Sequence, residues 1–148
     1  MGHEFRATRM VEFSDTDMAG IMHFSNFFRF METAEHGFYR SLGFSVVMEQ
    51  ALGLGWPRVK AECEYKQPLR FEDLVEIHLL VRKIGARSIS FDFRFSKNEN
   101  GAHIEAATGR LTIVCVSRDE TGRMKSAPIP AEILEKIQVA PPELLSSS

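Results

Sequence analysis

Two carboxylates two residues apart, Asp15 and Asp17, stand in the segment Glu12-Phe13-Ser14-Asp15-Thr16-Asp17-Met18-Ala19-Gly20-Ile21-Met22-His23-Phe24-Ser25-Asn26-Phe27, just ahead of a run with helical periodicity. The chain holds only five aspartates, so the pairing calls for an account. The plain reading is that they order a turn and cap a helix. A calcium loop starts well at Asp15 but fails further on, because Ala19 and Asn26 stand where an EF-hand places two ligands. A magnesium site on the same pair would serve nucleotides, and no glycine-rich phosphate loop lies beside it. Acyl transfer is a further reading that suits the segment, beside the turn-ordering and magnesium readings. One carboxylate would act as nucleophile or general base, beside helix-start N–H groups that polarise a carbonyl and stabilise an oxyanion. That chemistry requires neither a metal nor a redox cofactor.

The elements that must position these groups follow from periodicity. Alternation from Phe5 to Phe13 predicts a strand, with Phe5, Ala7, Arg9, Val11 and Phe13 on one face, and Ser14 to His23 reads as a loop. From Ser25 the period changes. Phe27, Phe30, Met31, Ala34, Phe38 and Leu42 recur at helical steps, Phe28 and Tyr39 widen the stripe, and Gly43 supplies the stop. A helix this apolar must be covered. The cover is predicted from strand-like runs at Val59–Lys66, Leu74–Ile84, Ser88–Lys97 and His103–Ser117, joined in part through Gly85-Ala86 and Asn98-Glu99-Asn100-Gly101. Gly109 is expected to mark a bulge. Pro128 to Ile137 is expected to hold a short helix docked by Ile133, Leu134 and Ile137. The class is α+β, a curved antiparallel sheet wrapped around one long central helix. One domain is expected over residues 1–138, with 139–148 as a flexible tail.

Composition narrows the function classes. The 148 residues carry 18 basic and 20 acidic side chains, a net charge of −2, so no global field favours nucleic acid or an anionic membrane. No apolar stretch approaches the ~20 residues of a membrane span, and a cytoplasmic protein is the expectation. Cys63 and Cys115 are too few for a disulfide scaffold and read as buried thiols. His36, four residues after Glu32, reads as a helix-surface pair, and His3, His78 and His103 form no evident cluster, so no multi-histidine metal site is expected.

The strand ending at Phe13, then Asp15-x-Asp17-x-Ala19-Gly20-Ile21, then an aromatic helix opening at Ser25-Asn26-Phe27, resembles the 4-hydroxybenzoyl-CoA thioesterase group of hotdog-fold proteins, which includes acyl-CoA thioesterases of the Tol-Pal-associated type. Gln67-Pro68-Leu69, Leu74-Val75-Glu76 and Arg87-Ser88-Ile89-Ser90-Phe91 are also similar to that group, and the likeness runs to about Ile133. It implies a hotdog fold and hydrolysis of an acyl-CoA thioester to free acid and coenzyme A. The coenzyme is part of the substrate and no separate cofactor is implied.

Carried over by position, Asp17 falls on the catalytic carboxylate and Asp15 on the residue that holds the loop. The oxyanion donor is the backbone N–H of Phe24, where family members often place Tyr or His; any imidazole contribution would come from His23. Asp15, Gly20, Ile21, Met22 and Phe27 are expected around the substrate, in a pocket that draws also on Met18, Phe24 and Phe28. Arg87 and Ser88 match a region that meets the phosphates of coenzyme A, and Arg118, Arg123 and Lys125 form a second basic candidate. Glu32 and Glu35 are alternative carboxylates, because another hotdog lineage carries its own on the central helix. The resemblance also implies pairing of exposed strand edges into a homodimer or homotetramer, with sites at subunit junctions. The competing readings are a hotdog hydratase or dehydratase, and a non-catalytic acyl-CoA binding or sensing module.

Overall fold

The structure is a computed structural model that describes residues 2–46, 48 and 52–146. Strand β1 (Glu4–Met10) leads through a 3-10 turn (Phe13–Asp15) to helix α1 (Asn26–Ser41). Strands β2 (Leu54–Gly55), β3 (Arg58–Tyr65), β4 (Leu74–Ile84), β5 (Ser88–Glu99), β6 (Ala102–Val114), β7 (Val116–Arg118) and β8 (Met124–Ser126) follow, and then the short helices α2 (Ala131–Leu134) and α3 (Pro142–Ser146). The main sheet has the order β1-β4-β5-β6-β3 and is antiparallel throughout, while β2, β7 and β8 form a small second sheet.

The helix forms where its spacing demands. Phe27, Phe30, Met31, Ala34 and Phe38 lie at three- and four-residue steps and are all buried. They meet the inward residues of β4, β5 and β6, including Ile77, Leu79, Phe91, Phe93, Phe95, Leu111 and Ile113, in one continuous core. Phe27 packs against Phe95 and Phe38 against Phe91, so α1 runs antiparallel to β5. Each such ring removed from water contributes roughly 1.5–3 kcal/mol of transfer free energy. This is the hotdog arrangement.

Several expectations change. β1 ends at Met10 and Phe13 is 77% exposed, because the chain turns at the 3-10 segment; Arg9 instead lies over the Phe30 ring. Gly109 sits in regular register opposite Cys63 and Phe93, with no bulge there. Its lack of a side chain serves the helix: a Cβ would stand 2.1 Å from the Met31 methyl. The run expected from His103 to Ser117 divides at Cys115, whose N–H bonds the Arg87 carbonyl and whose own carbonyl is taken by Ala127. The connection after β5 tightens to Asn100-Gly101, both at positive φ, as a two-residue hairpin turn requires. Ile133 and Ile137 dock as expected, but Leu134 is 42% exposed. Cys63 is half-buried on β3, and both thiols are free.

The segment expected as a loose tail is placed as far as Ser146. Ala140 is buried and its N–H bonds Val81, and Arg94 of β5 donates to the Leu144 carbonyl in α3. Ser147 and Ser148 lie outside the described residues. Among the described residues no helix is long and apolar enough to cross a membrane.

Candidate active site

The loop between β1 and α1 is built by its own backbone and by Asp15. The Asp15 carboxylate accepts from the Glu12 N–H at 2.8 Å, and its carbonyl accepts from the His23 N–H at 2.9 Å and from the Asn26 side chain at 2.8 Å. Asp15 is buried, with the Arg9 guanidinium 4.0 Å away. Its groups are thus spent on the loop, the holding role the resemblance implies, and it does not line the hollow where a substrate contact was also expected of it. Gly20 likewise builds rather than binds. At φ +82° it closes a turn in which its N–H bonds the Asp17 carbonyl, a conformation that favours glycine.

Asp17 has the opposite situation. It is exposed, and one carboxylate oxygen accepts from the Ala19 N–H at 2.9 Å. It lines a hollow of about 500 Å³ with Ile21, Met22, Phe24, Phe27 and the segment 65–69. The far wall is tied on by the Met22 N–H, which donates to the Leu69 carbonyl at 2.7 Å. Phe27 forms the floor, edge-on to Tyr65 and Phe95 at 5.0 and 5.2 Å.

Phe24 precedes α1, in the region where unpaired N–H groups gather at a helix start. Its N–H has no acceptor among the described residues, whereas the neighbouring His23, Ser25 and Asn26 amides are all bonded. The site therefore holds an exposed carboxylate, an unpaired helix-start N–H and an apolar floor around one hollow.

The other expected residues are placed elsewhere. The His23 Nδ1 is 2.7 Å from the Ser25 hydroxyl and accepts from the Ser25 N–H, and the residue does not line the hollow. Met18 extends fully into solvent, and Phe28 is half-buried away from the hollow. Arg87 donates to the Ser126 hydroxyl at 2.8 Å, and neighbouring Ser88 opens β5. From Ser88 to Phe95 is seven residues of that strand, or ~23 Å at the usual rise. One chain therefore does not bring Arg87 and Ser88 to Asp17. Arg118 and Lys125 lie on β7 and β8, outside the hollow.

Glu35 is a fully buried residue of α1, to which Arg58 of β3 and the Tyr39 hydroxyl both donate, and Arg58 also reaches Glu32 at 3.4 Å. Burial pushes its carboxyl above the ordinary range, opposed by Arg58 and Tyr39. It ties helix to edge strand and lies outside the hollow. Tyr65, Lys66, Pro68 and Leu69 were not singled out individually from sequence. Gln67-Pro68-Leu69 carried a family signal, but Tyr65 carried only strand alternation.

The model of the thioesterase-like superfamily matches residues 11–137 of this chain. A hypothetical protein of Aquifex aeolicus, known as a crystal structure, is 33% identical with a TM-score of 0.81, covering 90% of this chain and 99% of its own. A 1,4-dihydroxy-2-naphthoyl-CoA hydrolase of Synechococcus elongatus is 25% identical over 138 residues, 92% of this chain and 96% of that protein. A gentisyl-coenzyme A thioesterase of known structure is 30% identical with a TM-score of 0.76, covering 87% of this chain and 98% of that one. With the hotdog architecture already described, these place the protein: the chain belongs to the thioesterase-like superfamily and is a thioester hydrolase of the hotdog fold.

Proposed function

We propose that the protein hydrolyses an acyl-CoA thioester at the Asp17 hollow, with an aromatic acyl group as the preferred class. The observation that carries the chemistry is the pairing of the exposed Asp17 carboxylate with the unpaired Phe24 N–H around one apolar-floored hollow. Asp17 attacks the thioester carbonyl or draws the proton from a water that does. Both routes raise charge on the carbonyl oxygen, which the Phe24 N–H receives. The C–S bond then breaks and coenzyme A leaves as thiolate. On the direct route, a water then cleaves the aspartyl anhydride, releasing the free acid and restoring the Asp17 carboxylate. The aromatic preference draws on the Phe27 and Tyr65 edges in the wall, and on two relatives whose names specify dihydroxynaphthoyl and gentisyl thioesters.

The proposal includes assembly. β3 is an edge of the main sheet and every residue in it except Cys63 is exposed, Val59 and Tyr65 among them. Pairing of this edge with a second copy shields it. Arg87 would then meet coenzyme A phosphates only across such an assembly. Two free thiols suit a reducing cytoplasm. The test is release of coenzyme A thiol from aromatic, short-chain and long-chain acyl-CoAs. Aryl-CoAs are expected to give kcat/KM at least about tenfold above the alkyl chains, a difference of ~1.4 kcal/mol in transition-state binding. Equal rates across the panel would remove the aromatic preference, and no thiol release from any member would remove the activity.

A further inference from the structure

Phe24 lines the hollow and its N–H is unpaired among the described residues, yet its side chain anchors it little, since the residue is 62% exposed and its ring leans on the neighbouring His23 ring at 4.6 Å. The peptide planes on either side are held through their carbonyls, and the second also through the Ser25 N–H on His23 Nδ1. The His23 carbonyl accepts from the Asn26 N–H at 3.0 Å, and the Phe24 carbonyl accepts from the Tyr65 hydroxyl at 2.9 Å. The first bond is local to the turn. The second comes from β3, 41 residues away in sequence, and ties the helix entrance to the sheet. The Tyr65 ring is itself seated edge-on against buried Phe27. An oxyanion donor works to the extent that it is aimed before charge develops, because nothing must then reorganise during the reaction.

We propose that Tyr65 is the positioning residue of the oxyanion donor, its hydroxyl holding the Phe24 peptide so that the adjoining N–H faces the hollow. The inference rests on the thioesterase reading above, in which that N–H receives the charge. Tyr65 acts through Phe24 and supplies no proton to the reaction. Partial burial and the Cys63 thiol hold its phenol up at about 12, so the hydroxyl stays protonated and the bond persists through the neutral range.

Tyr65→Phe keeps the ring on Phe27 and removes only the hydroxyl. In the full-length protein, assayed by thiol release from an aryl-CoA, kcat is expected to fall about tenfold with KM held within about twofold. Affinity for a non-hydrolysable thioether analogue, which develops no oxyanion, is expected to stay unchanged. An unchanged kcat overturns the inference. So does a rise in KM matched by a loss of analogue affinity, which would make Tyr65 a substrate contact. Asp17→Asn, assayed in parallel, separates the failures. If it abolishes turnover while Tyr65→Phe is silent, the positioning role alone falls; if it retains turnover, the thioesterase mechanism falls and the Tyr65 role with it. Should Tyr65→Phe not fold, 4-fluorophenylalanine at position 65 tests the same bond, since it fills the hydroxyl's place without donating. The same fall in kcat at held KM is expected, and an unchanged kcat overturns the inference.

Discussion

Asp15 and Asp17 carry the same side chain two residues apart, and the loop gives them opposite work. Asp15 turns inward to bond the Glu12 N–H, and Asp17 turns outward to the hollow with one oxygen steadied by the Ala19 N–H. Residue type and spacing made the pair conspicuous, but which member would be buried depends on the 3-10 turn at Phe13–Asp15, which alternation alone does not reveal. The division has a measurable consequence. Asp15→Ala leaves the Glu12 N–H without its acceptor, and such a loss is expected to cost about 1–3 kcal/mol in urea unfolding, with activity falling as the loop loosens. Asp17→Asn is expected to leave stability within about 0.5 kcal/mol of wild type, as substitutions at exposed sites do. Equal destabilisation by the two would contradict the assignment.

At the level of elements, α1 was legible because its apolar residues keep one helical face over 16 residues, and β4 and β5 because theirs alternate. What was not legible depended on partners distant in sequence. Apolar character continues through Cys115 while the strand it bonds changes there, so β6 and β7 read as one run. Gly109 read as a bulge because only the packed helix shows that Met31 occupies the missing Cβ's space. The buried Glu35 under Arg58 belongs to the same class, since the helix pattern gave no reason to bury an acid. Its carboxyl is raised by burial, so this group's contribution to stability is full below the ordinary carboxyl pKa and is lost as pH rises through the raised value. Arg58→Met removes the cation that opposes the rise. Relative to wild type it is expected to cost about 2 kcal/mol at pH 7, below the 3–5 kcal/mol of a wholly buried pair because Arg58 is 32% exposed. At pH 4 the difference shrinks, since Glu35 is then protonated in both proteins. Urea midpoints at the two pH values check this, and an equal loss at both would mean that Glu35 does not carry the charge.

For the molecule as a whole, the sheet wraps the helix completely on one side and leaves β3 open at its edge, with the Asp17 hollow reaching that edge through Tyr65. Assembly through β3 is expected to give a light-scattering mass at least twice the 16.8 kDa of the chain at micromolar concentration. A monomer at that concentration would contradict the assembly, and would leave Arg87 with no route to the substrate of the Asp17 hollow. The α+β class, the central helix and the carboxylate loop were all readable in advance. The aromatic wall and the Tyr65 tie were not, because they arise where β3 passes the helix entrance. The central claim is that Asp17 performs the chemistry at that entrance. Its most direct test is the rate of coenzyme A thiol release by folded Asp17→Asn, assembled as the wild type is, from the best aryl-CoA substrate. A fall in kcat of about 10³-fold with unfolding stability preserved is the expected result, and turnover within about threefold of wild type would contradict it.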